Sequence, residues 1–78
     1  MNIFEKIRNI VSEQFSLDPE RVTEETDFLE ELGADSLDVV ELAVSVEDEF
    51  GIPEIGEEDI LKIHTVGDLV AYVRRVLD

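Results

Sequence analysis

Ile3, Ile7, Ile10, Val11 and Phe15 recur three and four residues apart, the spacing that lines one face of an α-helix. Asn2 precedes this run and Glu5 stands three residues on, which predicts a helix opening at about Asn2 with a capping box. Asp18-Pro19 ends or follows it, because proline disfavours helical geometry in the residue before it. A second helical pattern runs from about Ser36 to Phe50 and is stopped by Gly51-Ile52-Pro53. A short helical turn is expected from Gly56 to about Leu61. Thr65, with Asp68 at the third position, predicts the capped start of a last helix that buries Val66, Leu69, Val70, Val73 and Leu77. Residues 16 to 35 are left as a long connection, pinned to the core by Leu17, Val22, Phe28, Leu29 and Leu32. Within it Thr23 and Thr26 suit local turn caps, and Gly33 suits a final bend with positive φ. Alternating β-branched runs are missing, so there is little case for a sheet. The pattern predicts an all-α fold: a small four-helix bundle with three longer helices, a short third helix and a long first loop.

The second helix carries more apolar surface than one core needs. At about 100° per residue, Val39, Leu42, Ala43, Val46 and Phe50 share one face, the core stripe. Leu37, Val40 and Val44 form a second stripe roughly 130° away, flanked by Glu41 and Asp48 on one side and Glu47 on the other. Apolar residues rimmed by charge fit a partner-binding surface. The plainer alternative is packing against the long loop or the third helix, and Val40, nearest the core stripe, suits that best.

Seventy-eight residues allow one domain, residues 1–78. A chain of this size buries only about 60% of its unfolded surface, so its core is thin. Its net charge of −15 is uneven: between Arg21 and Lys62 lie fifteen carboxylates and no cation. Such a field repels nucleic acid and anionic membranes and steers basic protein surfaces toward the molecule. Disorder is the competing reading of so much charge, and a 44% hydrophobic content with clear periodicity argues against it. There is no cysteine, hence no disulfide and no thiolate metal site. No apolar run approaches the roughly 20 residues that span a bilayer, and the first residues lack the pattern of a secretory signal, so a cytoplasmic monomer is expected.

Ser36 stands where loop becomes helix, between Asp35 and Asp38, and has three readings: helix cap, catalytic nucleophile, or modified residue. Catalysis finds no support, since the one histidine, His64, is distant in sequence and no cysteine is present. A phosphate-linked modification suits the free N–H groups and positive dipole of a helix N-terminus, although Asp35 and Asp38 oppose it. No window supplies the ligand set of an EF-hand loop. Like-charge crowding does suggest weak divalent-cation binding at Glu30, Asp35, Asp38 or Glu47.

Leu32-Gly33-Ala34-Asp35-Ser36-Leu37-Asp38, preceded by Phe28-Leu29-Glu30-Glu31 and followed by Val40-Glu41-Leu42, resembles the prosthetic-group attachment site of bacterial-type acyl carrier proteins. Glu47-Asp48-Glu49-Phe50, Ile52-Pro53 and Thr65-Val66 extend the resemblance over nearly the whole chain. The resemblance implies a non-catalytic carrier whose Ser36 receives 4′-phosphopantetheine from coenzyme A, through a phosphopantetheinyl transferase that uses magnesium. Acyl chains would ride on the terminal thiol as thioesters and be presented to fatty-acid synthesis enzymes with basic docking patches. By the same resemblance Asp35, Leu37, Asp38, Val40, Glu41, Val44, Glu47 and Asp48 match the partner-facing positions. Phe28, Leu29, Val39, Val46 and Ile63 are candidates to line the acyl pocket, with ordinary core packing as the alternative for each. Two departures stand out. Between Phe50 and Lys62-Ile63 this chain is one residue longer than the common pattern, and Ile60 replaces a frequent alanine. Two other functions compete: a discrete carrier of polyketide or other acyl intermediates, and an acidic protein-binding module that is never modified. For divalent binding, a melting temperature unchanged by millimolar magnesium or calcium would count against the idea.

Overall fold

The three longer helices of the computed structural model, which describes residues 2–78, each begin at a side-chain cap. α1 spans Ile3–Phe15, and Asn2 caps it by accepting the Glu5 N–H at 3.2 Å. It ends at Ser16, which adopts the left-handed conformation (φ 55°) ahead of Asp18-Pro19. α2 spans Ser36–Phe50 and closes on Gly51 at φ 62°. α3, Glu57–Lys62, is a short helix without a side-chain cap, shifted by one residue from the expected turn. α4 runs from Val66 to Leu77 behind a complete Thr65–Asp68 capping box. α1 packs on both α2 and α4, while α3 rests on α2.

The buried cluster draws Ile7 and Val11 from α1, Leu42, Ala43 and Val46 from α2, and Val66, Leu69, Val70 and Val73 from α4. Val22, Phe28 and Ala34 enter it from the long loop, and Ile52 and Ile55 from the α2–α3 connection. Two expected core residues lie outside it. Leu29 is 58% exposed, because Phe28 takes the inward position and the turn that follows carries Leu29 outward. Leu77 is 47% exposed, because α4 runs past the end of the core.

The long loop is far from structureless. Pro19–Arg21 forms a single 3₁₀ turn capped by Asp18. Thr26 is buried and its Oγ1 accepts the Thr23 N–H at 2.9 Å. Asp27 organises the next turn: its Oδ1 accepts the N–H groups of Leu29 and Glu30, each at 2.9 Å. Gly33 adopts φ 63°, the bend expected of it. The loop is then stapled to the residues that open α4. Gly67 N–H donates to Glu24 O at 2.8 Å, Val66 N–H to Thr26 O at 3.0 Å, and Phe28 N–H to His64 O at 2.9 Å. A Cβ on Gly67 would lie 2.9 Å from Glu24 O, so this approach requires glycine. The contact between Asp27 and Thr65 is an isolated bridge, and no strand forms among the described residues.

Asp68 secures the α4 end of this junction. Its Oδ2 accepts the N–H groups of His64 at 3.0 Å and Thr65 at 3.1 Å, while Thr65 Oγ1 accepts the Asp68 N–H. The hydrogen bond from His64 N–H holds the Asp68 carboxyl below its ordinary value, against the opposing effect of desolvation, and the Thr65 bonds act in the same direction. A carboxyl depressed in the folded state contributes stability above its unfolded pKa, and that contribution is lost as pH falls through the folded value. Asp68→Asn is therefore expected to lower stability by about 1 kcal/mol at neutral pH. The gap between variant and wild type narrows as acid protonates Asp68, and urea denaturation across the acidic range measures it.

Candidate functional site

The turn that delivers Ser36 is built from its neighbours' hydrogen bonds. Ala34 is buried and donates its N–H to Phe28 O at 2.9 Å, which anchors the strand of loop leading into α2. Asp35, not Ser36, is the N-cap. Asp35 Oδ1 accepts the Asp38 N–H at 2.9 Å, and Asp38 Oδ2 accepts the Asp35 N–H at 3.2 Å, a reciprocal capping box. The signal was present in the sequence as Asp35 with Asp38 three residues on. The capping reading of Ser36 is thereby corrected: a carboxylate one residue earlier already does that work. Gln14 of α1 fixes the same turn from the side, its Nε2 donating to Asp38 O at 2.8 Å, and nothing in the sequence marked that contact.

Ser36 is consequently the first helical residue, exposed, with no hydrogen bond to its hydroxyl among the described residues. No hydrogen bond joins His64 to Ser36 among the described residues. The His64 backbone is engaged with Phe28 and Asp68, and its side chain is exposed. The Oγ of Ser36 is thus open to solvent beside a helix N-terminus whose dipole favours an anionic substituent. Asp35 and Asp38 each direct one oxygen to a backbone N–H, which reduces the charge they present to such a group.

Below Ser36 the second apolar stripe lies on the surface. Leu37 is 64% exposed, Val40 43% and Val44 50%, so the helix carries an exposed apolar face besides its buried one. Asp35, Glu41 and Asp48 are exposed around the stripe, and Asp38 is half-buried. Glu47 differs from them. It is half-buried, and its Oε2 accepts the Ile55 N–H at 2.7 Å, which ties the α2–α3 connection to α2.

A cleft of about 420 Å³ lies between α2 and α3, lined by Val40, Ala43, Val44 and Glu47 on one wall and Glu54, Ile55, Glu57 and Ile60 on the other. None of the five residues expected from the sequence to line an acyl pocket borders it. Phe28 and Val46 are sealed in the core, Val39 and Ile63 pack against its edge, and Leu29 faces solvent. The cleft residues could not be grouped from the sequence, because their two walls face each other only once α3 folds back on α2. Ile60 stands in the α3 wall. No three acidic or histidine side chains converge to hold a metal ion among the described residues.

The family profile described as "Phosphopantetheine attachment site" matches residues 5–73. An acyl carrier protein of Wolinella succinogenes is 53% identical over 73 residues, covering 94% of this chain and 95% of that protein. The structure of an acyl carrier protein from Enterococcus faecalis superposes with a TM-score of 0.79 at 38% identity, covering 95% of this chain and 92% of the other.

The division between Asp35 and Ser36 is open to test. Asp35→Ala is expected to destabilise the fold by about 1 kcal/mol, the usual value of an N-cap. Ser36→Ala is expected to stay within about 0.5 kcal/mol of wild type, as an exposed residue without a bonded side chain should. Thermal unfolding of the two variants side by side measures both, and a larger loss from Ser36→Ala would return the capping role to the serine.

Proposed function

The chain belongs to the acyl carrier proteins, and on that footing we propose that Ser36 bears the 4′-phosphopantetheine arm. As a member of that family it carries acyl chains for fatty-acid synthesis, and 4′-phosphopantetheine is its cofactor. The observation that supports Ser36 as the attachment point is its unbonded, exposed hydroxyl on the first residue of α2, left free because Asp35 takes the cap. When bound, the group supplies a thiol that holds acyl chains as thioesters, chemistry that a chain without cysteine lacks. Ser36 contributes the hydroxyl through which the group is attached. Asp35 and Asp38 hold the turn in a single geometry, so the same hydroxyl is presented at every encounter.

Residues 1–78 serve in this reading as one carrier domain, a monomer of the cytoplasm without catalytic activity of its own. A phosphopantetheinyl transferase installs the arm from coenzyme A, and fatty-acid synthesis enzymes with basic patches then dock on α2. Leu37, Val40 and Val44 seat the partner, while Asp35, Asp38, Glu41 and Asp48 steer it. Rim charges act mainly on association rate, which suits brief, repeated visits by different enzymes. The acyl chain lies in the α2–α3 cleft, whose Val40, Ala43, Val44, Ile55 and Ile60 offer an apolar lining. The sealed positions of Phe28 and Val46 favour the cleft over the core as its berth.

Intact mass before and after incubation with coenzyme A, magnesium and a permissive transferase tests the assignment. One phosphopantetheine increment is expected on the wild type and none on Ser36→Ala. In the same assay the initial rate should fall with added salt and in Glu41→Lys, since both weaken steering. An increment that survives in Ser36→Ala would move the attachment elsewhere. No increment on folded wild type would leave an acidic binding module.

A further inference from the structure

We propose that the Glu47–Ile55 hydrogen bond is a latch across the α2–α3 cleft, which an entering acyl chain opens, freeing the Glu47 carboxylate for partner docking. The inference rests on the carrier reading above. One wall of the cleft is α2; the other is the segment from Glu54 to Ile60. Among the described residues, one side-chain hydrogen bond joins the two walls, from Ile55 N–H to Glu47 Oε2 at 2.7 Å. It is short and charge-assisted, so it holds more firmly than a neutral bond.

Apart from buried Ile55 and the partly buried Ile60, the wall it restrains has few anchors. α3 has six residues, none of them fully buried, and no side-chain cap at its start. The long loop and α4 are instead joined by three backbone hydrogen bonds around a glycine that admits no Cβ. Hydrocarbon that takes up volume in the cleft therefore displaces the Glu54–Ile60 wall, the element with least to lose. Ile55 couples that displacement to the latch. Its buried side chain borders the cleft and its backbone N–H makes the bond, so moving one moves the other.

Glu47 lies three residues beyond Val44 on the same side of α2 and at the edge of the apolar stripe. While latched it is half-buried, unlike exposed Glu41 and Asp48. Once released, it adds a free carboxylate to the docking row. Loaded and unloaded carriers then differ in the charge they show, and a basic partner surface discriminates between them through electrostatic complementarity.

Amide hydrogen exchange on protein bearing an acetyl or a decanoyl thioester, with loading verified by intact mass, tests the latch. The Ile55 amide of the decanoyl form is expected to exchange roughly tenfold to hundredfold faster than that of the acetyl form, the effect of losing a hydrogen bond to a charged group. The amides of Val66 and Gly67 should not change. Glu47→Ala should abolish the contrast by leaving Ile55 unprotected in both forms, whereas Glu47→Gln, which keeps an acceptor, should retain it. Affinity for a ketosynthase should fall in Glu47→Gln only when the decanoyl chain is present. Equal Ile55 protection in the two loaded forms overturns the latch and leaves the carrier reading standing. Equal affinity losses in the two forms overturn the release of the carboxylate. Failure to load Ser36 at all overturns both readings together.

Discussion

Three backbone hydrogen bonds between Glu24–Phe28 and His64–Gly67 decide where Ser36 stands. A chain of this size has a thin core, and twenty loop residues cannot be fixed by burial alone. The staples place Phe28 in the core, Phe28 O then receives Ala34 N–H, and Ala34 leads directly into the Asp35 cap. The line from α4 to the serine is thus a chain of backbone contacts, each of which satisfies a polar group that would otherwise be costly to bury. Gly67 is part of it because only a residue without a Cβ lets the Glu24 carbonyl approach so closely.

The molecule also divides its carboxylates by task. Asp18, Asp27, Asp35, Asp38 and Asp68 accept backbone N–H groups and shape turns or helix starts. Glu49 pairs with Lys6 across α1 and α2 at 3.1 Å, an exposed bridge of small energetic value. Glu41 and Asp48 remain exposed beside the apolar stripe. Net charge is therefore a poor guide to which acid meets a partner. Geometry separates acids that build the fold from those that project the field, and Glu47 sits between the two groups.

The elements also differ in how much of them the core holds. α1, α2 and α4 with the stapled loop form the frame that presents Ser36, and α3 is a light wall leaning on α2. The cleft between α2 and α3 lies where that frame meets the short helix.

Much of this was readable in the sequence, because it depends on local chemistry. The helical periods, the Asn2 and Thr65 caps, the glycine stops and the double stripe of α2 are set by residues within a turn or two of one another. The motif around Ser36 is likewise contiguous, so its family likeness could be read without a fold. Capping by Asp35 was legible too, in the spacing to Asp38, but the serine drew the reading. What the sequence could not decide depends on residues far apart in the chain. The loop's attachment to Gly67 and the support of Asp38 by Gln14 join segments whose pairing no periodicity encodes. The outward turn of Leu29 and the sealing of Phe28 and Val46 followed from competition for one small core. The walls of the cleft and the capture of Glu47 by Ile55 exist only because α3 folds back on α2, and apolar spacing within a helix says which face is buried but not what buries it.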